Sequence, residues 1–284
     1  MKRILITGSN SYIGNKFREW IEGQYNGLYK IDSISLRNEV WKQIDFSKYD
    51  AIFHTVGIAH RKERSIDKDV YYKVNCDLAY EVAKKAKIER VNHFVFLSSM
   101  SIYGLEEGII HKSTLAQPTT LYGSSKLKAE ELLFTLDSKD FNVAIIRPPM
   151  VYGEGCKGNY NTLSKFARNV PFFPNIKNSR SMIYIDNLTE FIRLRINNPK
   201  SGIFFPQNSE YVCTAEMVKE IRNCYSKTTF LVRIGGIISK FRLKNKKLNK
   251  IIGNLVYDKS LSQDTDEYNM LNFNNSIKKT EVGV

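Results

Sequence analysis

Tyr122 and Lys126, in Leu121-Tyr122-Gly123-Ser124-Ser125-Lys126, stand four residues apart where the chain enters a segment of helical spacing. That spacing puts both side chains on one helix face. A phenol titrates near 10, too high for a good base at neutral pH, but a neighbouring ammonium favours the phenolate. The positive ring of an oxidised nicotinamide would add to the effect, so the pair suits proton exchange with a substrate hydroxyl. Ser99, 23 residues before Tyr122, lies at the mouth of an apolar run in Phe96-Leu97-Ser98-Ser99-Met100-Ser101-Ile102-Tyr103-Gly104. A hydroxyl there could bond a substrate oxygen and steady developing charge. Tyr-x-x-x-Lys alone is close to noise. It gains weight from this serine-rich strand end and from a glycine turn near the N-terminus.

That turn is Thr7-Gly8-Ser9-Asn10-Ser11-Tyr12-Ile13-Gly14, which follows a strand pattern and opens a helical one. Gly8 would allow the tight turn and Gly14 the close seat of helix on sheet, while the free N–H groups of the helix start would face a pyrophosphate. Ser11 stands where a middle glycine is usual, so the motif by itself also reads as an ordinary β-α turn. The second strand, expected over Lys30 to Leu36, ends in Arg37 with no acid between Ser33 and Asn38. Asp32 sits too early to reach an adenosine ribose if the strand runs through Leu36. A basic residue at that place faces a 2′-phosphate, which favours NADP(H) over NAD(H); the alternative is a solvated loop charge. Asp45 could bond the adenine amine or simply cap a turn.

The elements that must hold these residues follow one rhythm through the first 150 positions. Short apolar runs at Lys2 to Thr7, Lys30 to Leu36, Ala51 to Val56, Phe94 to Ser98 and Val143 to Ile146 read as strands. Ile13 to Ile21, Val70 to Ala86 and Ser124 to Leu136 read as helices between them, which describes an α/β parallel sheet covered on both faces. After Pro148-Pro149 the pattern loosens, with pieces at Tyr160 to Arg168, Ser181 to Ile185, Leu188 to Arg195 and Thr214 to Cys224. Residues 151–284 read as a smaller, mainly substrate-binding region, with elements from about 181 to 215 returning to the sheet.

The 284-residue chain has 42% apolar and 25% charged residues, which excludes a disordered or fibrous protein. No run reaches the roughly 18 apolar residues of a membrane span, and the apolar stretch at the start is too short for a signal peptide, so the expected location is the cytoplasm. The four cysteines are far apart and read as reduced and structural. Net charge is +14, and six basic residues with no acid fall between Lys240 and Lys250. The apolar side chains interleaved with them at 237–252 would suit peripheral membrane contact; aromatic spacing is poor for nucleic acid, and none is expected as a partner. His54 reads as a core residue, His60 as the end of a loop beneath the cofactor, and His93 and His111 as surface residues. Their spacing gives no metal site.

These segments together resemble the extended short-chain dehydrogenase/reductase family, in its nucleotide-sugar epimerase, dehydratase and reductase branch. The residues carrying the resemblance are Thr7 to Gly14, Val56-Gly57-Ile58-Ala59-His60, Val74-Asn75, Ser98 to Gly104, Tyr122 to Lys126 and Arg147-Pro148-Pro149-Met150-Val151-Tyr152-Gly153. The resemblance implies a Rossmann-like doubly wound sheet, with NAD(P) bound by residues 1–150. It implies that Ser99, Tyr122 and Lys126 form the catalytic centre. Tyr122 would exchange a proton with a sugar hydroxyl while hydride moves between carbon and nicotinamide, and Lys126 would bind the nicotinamide ribose. Val56, Gly57 and Ile58 would pass under the diphosphate, Asn75 would brace the loop near the nicotinamide, and Pro148 would contact its carboxamide side. Arg180 matches the arginine that holds a sugar-nucleotide diphosphate. Met150 sits where many sugar epimerases have an asparagine, and Asn159 could supply a substitute amide.

Residues 147–160, Pro174-Asn175-Ile176 and Gly253-Asn254-Leu255-Val256-Tyr257 are more narrowly similar to capsular-polysaccharide reductases of UDP-linked 2-acetamido-2,6-dideoxy-4-hexuloses. This implies Asn254, with Ser99 and Met100, on the substrate side, a UDP-linked amino sugar as substrate, and UDP-N-acetyl-fucosamine or -quinovosamine as product. The leading expectation is therefore 4-keto reduction, with a UDP-sugar 4-epimerase holding NAD tightly as the alternative and a non-catalytic binding module as a minor one. A dehydratase would want an acid pair that Met100 and Ser101 do not offer. The family also implies a homodimer through the helices around 70–86 and 124–136.

Overall fold

The apolar runs of the first half pair into a parallel sheet because side chains buried on both faces leave the ladder bonds as the only way to satisfy the backbone. The computed structural model describes residues 1–59, 68–233, 252–262 and 266–283. His60 and the basic stretch 240–250, with nearly all of the expected membrane-contact segment, lie outside the described residues.

The chain opens with β1 (Lys2–Thr7), α1 (Tyr12–Gln24), β2 (Tyr29–Ile34) and β3 (Ala51–His54). The expected long helix is three pieces, α2 (Lys68–Tyr72), a π-helical turn (Lys73–Asp77) and α3 (Leu78–Ile88). Next come β4 (His93–Leu97), a 3-10 turn (Met100–Tyr103), β5 (Gly108–Ile110), α4 (Leu121–Phe134) and β6 (Asn142–Ile146). The second half holds β7 (Met150–Tyr152), α5 (Asn159–Asn169), β8 (Phe172–Pro174), β9 (Met182–Tyr184), α6 (Ile185–Asn197) and β10 (Gly202–Phe204). It ends with α7 (Thr214–Asn223), β11 (Phe230–Val232), β12 (Leu255–Tyr257) and α8 (Phe273–Val282).

The main sheet has the order β10-β6-β4-β3-β1-β2 and every pairing in it is parallel. This is the Rossmann-like doubly wound arrangement. The chain leaves β1 to one side for β2 and returns to the other side for β3, so the strand order reverses at β1, and ligands of such sheets bind outside the strand ends there. Fully buried Leu5, Ile52, Phe94, Phe96, Val143 and Ile145 meet Ala79, Val82 and Ala83 of α3 and Ala129 and Leu133 of α4 on one face.

Contacts divide the chain into two units. One comprises Met1–Gly104, Leu115–Pro148 and Leu188–Pro206, the other Leu105–Thr114, Pro149–Asn187 and Gln207–Val284. The second unit holds three two-stranded parallel pairs, β11-β8, β12-β5 and β7-β9. Its last helix is held by Glu281, which accepts hydrogen bonds from Tyr160 (2.7 Å), Ser164 (3.0 Å) and Tyr225 (3.0 Å). Among the described residues no helix is long and apolar enough to cross a membrane.

Two expectations need correction beyond the broken helix. The strand expected to reach Leu36 ends at Ile34, because the backbone oxygen of Ile34 turns to accept from Gly8 N and Ser9 N at 2.8 and 3.1 Å. His93, read as a surface residue, is the first residue of β4 and fully buried.

Candidate active site

The ends of β1, β3 and β4 bring the expected residues together. Gly8 follows β1 with φ +115°, a conformation costly for any side chain, and a Cβ there would come within 2.8 Å of Thr55 Oγ1. The turn then starts α1, with exposed Asn10 before it and half-buried Tyr12 and Ile13 in its first turn. Ser11 is the N-cap, with φ −73°, and its hydroxyl accepts from Gly14 N at 3.2 Å. At this ordinary backbone angle the serine is unstrained, and its side chain caps the helix. Gly14 is buried, where a Cβ would touch Ile6 and Thr55 Oγ1 at 3.0 and 3.1 Å.

Beyond β3, half-buried Val56, exposed Gly57 and half-buried Ile58 run past Lys126. A Cβ on Gly57 would sit 3.3 Å from Lys126 Nζ and 3.4 Å from Asn75 Oδ1, so a side chain here would press on both groups. Buried Asn75 lies in the π-helical turn, a distortion frequent at functional sites. Its Oδ1 accepts from Ile58 N at 2.7 Å, and its Nδ2 donates to Ser125 Oγ at 3.0 Å. The Ser125 hydroxyl donates to Tyr122 O at 2.9 Å. Asn75 thus ties the Gly57 strip to the helix that carries Tyr122.

Helix α4 starts three residues earlier than its sequence spacing suggests, with Thr120 as N-cap, so Tyr122 lies in its first turn. A Cβ on Gly123 would meet Ser101 O at 2.8 Å, which shows how tightly α4 approaches the serine loop. Tyr122 hydrogen-bonds Ser99. Ser99 caps the 3-10 turn and accepts from Ser101 N at 3.1 Å, with Ser101 Oγ 3.0 Å away. Lys126, 3% exposed, donates to Leu97 O at 2.9 Å and, more weakly, to Val56 O at 3.4 Å.

Burial pushes the Tyr122 phenol up to about 12, and the Ser99 hydrogen bond acts against that rise. Burial pulls the Lys126 ammonium down to about 7, opposed by the charge of Glu130. The sequence anticipates an ammonium acting on the tyrosine; as placed, the group that opposes the rise is Ser99.

The remaining candidates are distributed as follows. Arg37 and Asp45 are exposed, Arg37 just past the β2 end and Asp45 accepting from Ser47 N at 2.9 Å. Asp32, inside β2, accepts from Tyr49 OH at 2.9 Å. Pro148 is buried and its carbonyl accepts from Met100 N at 3.0 Å, with Met100 half-buried. Met150, Asn159, Arg180 and Asn254 belong to the second unit. There Met150 begins β7, Asn159 is exposed at the start of α5, buried Arg180 donates to Gly253 O at 2.9 Å, and Asn254 Oδ1 accepts from Ser179 N at 2.8 Å. Thr55 and Ser125 were missed as supports; their neighbours Gly57 and Lys126 were the only signal for them.

Strand ends at the sheet's reversal point, a glycine turn opening α1, and a Ser-Tyr-Lys cluster beside Gly57 fit a nicotinamide dinucleotide. Residues 4–205 match the NAD dependent epimerase/dehydratase family, and the chain belongs to it. It is an NAD(P)-dependent enzyme of sugar nucleotides, of oxidoreductase or epimerase type. It is 27% identical to a UDP-glucose 4-epimerase of Vibrio cholerae, over 93% of this chain and 89% of that one. Its fold is similar to UDP-glucuronic acid 4-epimerase from Bacillus cereus in complex with NAD (TM-score 0.74, 16% identity, 97% of this chain and 96% of that chain). It is also similar to RMD from Pseudomonas aeruginosa complexed with NADPH (TM-score 0.76, 14% identity, 99% of each chain).

Proposed function

We propose that the protein is a 4-epimerase of a UDP-linked hexose or N-acetylhexosamine working with bound NAD. The observation that carries this reading is the near-full-length likeness to a UDP-glucose 4-epimerase in a chain that keeps Ser99, Tyr122 and Lys126 together. It reverses the order reached from the sequence, where reduction leads.

A nicotinamide dinucleotide held by Gly8, Gly14, Gly57 and Lys126 would supply the hydride acceptor and donor for sugar C4, with the sugar presenting its opposite face for the return. Tyr122 removes the proton of the C4 hydroxyl and gives it back, which requires its phenol to be brought down from about 12. Ser99 donates to the same oxygen and keeps Tyr122 aimed at it. Lys126 meets the nicotinamide ribose from beside Gly57. Gly8, Gly14 and the start of α1 receive the diphosphate.

Arg37 supports a second reading. It lies exposed beyond β2 with no carboxylate from Ser33 to Asn38, which suits the 2′-phosphate of NADPH and hence net reduction of a UDP-2-acetamido-2,6-dideoxy-4-hexulose. The working form in either reading is a homodimer packed through the helices of 68–88 and 121–134, for which exposed Val70 and Ile88 offer apolar surface.

The two readings separate when purified enzyme is incubated with UDP-glucose or UDP-N-acetylglucosamine and no added cofactor. The galacto epimer is the expected product. No epimer, with NADPH consumed only against a 4-keto sugar nucleotide, would replace the first reading by the second.

A further inference from the structure

One helical turn beyond Lys126, Glu130 is 2% exposed and makes contacts that reach both neighbouring strand ends. Ser98, the residue before Ser99, donates its hydroxyl to Glu130 Oε1. Arg147, at the end of β6 and 8% exposed, lies with Nε 3.1 Å from both Glu130 oxygens and pairs through Nη2 as well. Arg147 Nη1 donates to Tyr103 OH at 2.7 Å, at the far end of the 3-10 turn that Ser99 caps. The carboxylate therefore connects the helix of Tyr122 and Lys126 to both ends of the Ser99 turn.

A buried ion pair is weak evidence for stability, because apolar side chains of the same volume often serve as well. Its retention here, beside a buried ammonium, has a reason in the site. Without a nearby negative charge, burial would drive Lys126 further toward the neutral amine; His54 on β3, Tyr122 on its own helix and the Arg147 cation paired with Glu130 are the other charged or titratable groups there, and none is anionic at neutral pH.

We propose that Glu130 is a positioning residue for this centre: through Ser98 and Arg147 it fixes the Ser99 turn against α4, and its carboxylate favours the ammonium form of Lys126. The inference rests on the reading of Ser99, Tyr122 and Lys126 as catalytic.

The test uses the full chain with dinucleotide bound, in wild type, Glu130→Gln and Ser98→Ala. Lys126 is titrated by NMR in lysine-labelled protein, its signal assigned by loss in Lys126→Met, and turnover and dinucleotide affinity are measured alongside. Glu130→Gln is expected to lower the Lys126 midpoint by about one pH unit, and kcat roughly tenfold to a hundredfold, with KM and dinucleotide affinity within about threefold. Ser98→Ala, which keeps the ion pair, is expected to lower kcat roughly tenfold with the lysine midpoint unmoved. A Glu130→Gln protein that melts earlier but keeps its midpoint and kcat overturns the proposal. Should that variant not fold, unchanged kcat in Ser98→Ala overturns it instead. Should the wild type turn over no UDP-sugar, the functional reading fails, and the lysine titration still decides the role of Glu130.

Discussion

The Lys126 ammonium lies 4.4 Å above the centre of the Phe96 ring and donates to Leu97 O at 2.9 Å. A cation over an aromatic face is favourably placed, but it is also removed from water. The removal dominates and brings the group to about 7. An unfolded lysine titrates near 10.5, so between about 7 and 10.5 the unfolded chain binds more protons, and stability rises with pH across that window.

Lys126→Met is therefore expected to be more stable than wild type at neutral pH by roughly 2–4 kcal/mol, at about 1.4 kcal/mol per pKa unit, while losing turnover. The difference should shrink as pH approaches 10. Urea unfolding at pH 7 and pH 10 checks it, and a variant no more stable at pH 7 would mean that the ammonium is adequately solvated where it lies.

His93, at the other end of the sheet, gives a pH dependence of the same sign in a lower window. Both ring nitrogens are buried without a hydrogen-bond partner, and burial, with the charges of Lys2 and Arg195, holds the ring down to about 4. Between about 6.5 and 4 the unfolded chain binds the extra proton, so stability is lost as pH falls through that range. His93→Phe should escape this loss and gain roughly 2–3 kcal/mol on wild type at pH 4, with little difference at pH 7.5. Thermal melts across pH 4 to 8 would show parallel curves if the ring is free to protonate in the folded state.

How much of this was legible depends on what each residue does locally. The strands could be read because Ile4-Leu5-Ile6, Ile52-Phe53 and Phe94-Val95-Phe96 are short continuous apolar runs. The facing of Tyr122 and Lys126 followed from helical spacing alone. The π-helical turn at Lys73–Asp77 could not be read, because it is set by the bonds of Asn75 to Ile58 and Ser125, both distant in sequence. His93 was misread because a histidine beside an asparagine looks like a strand's polar end, whereas β4 begins at it. Glu130 shares the Tyr122–Lys126 spacing, and extending that face by one more turn would have singled it out.

Gly8 and Gly23 offer a contrast in one helix-turn unit. Gly8→Ala must hold φ +115° and push against Thr55 Oγ1 at 2.8 Å. It should cost about 1–3 kcal/mol and weaken dinucleotide binding. Gly23, within α1, has nothing within 4 Å of an added Cβ. Gly23→Ala should stabilise by about 0.5–1 kcal/mol with binding unchanged. Equal effects of the two substitutions on dinucleotide affinity would remove the turn from the binding site.

Arg37→Ala is expected to lower NADP(H) affinity roughly tenfold and leave NAD(H) affinity unchanged, the loss of one charge-assisted hydrogen bond to phosphate. Titration of both reduced dinucleotides by fluorescence measures this. If the variant keeps both affinities, Arg37 is a solvated loop charge and the reductive reading loses its support.

Turnover of Tyr122→Phe, measured together with its dinucleotide affinity, tests the central claim most directly. The variant keeps the ring and loses only the hydroxyl bonded to Ser99. Turnover of the UDP-sugar is expected to fall by roughly 10²–10⁴, with dinucleotide affinity within about threefold of wild type. Turnover within a few fold of wild type at full dinucleotide occupancy would contradict proton exchange through Tyr122.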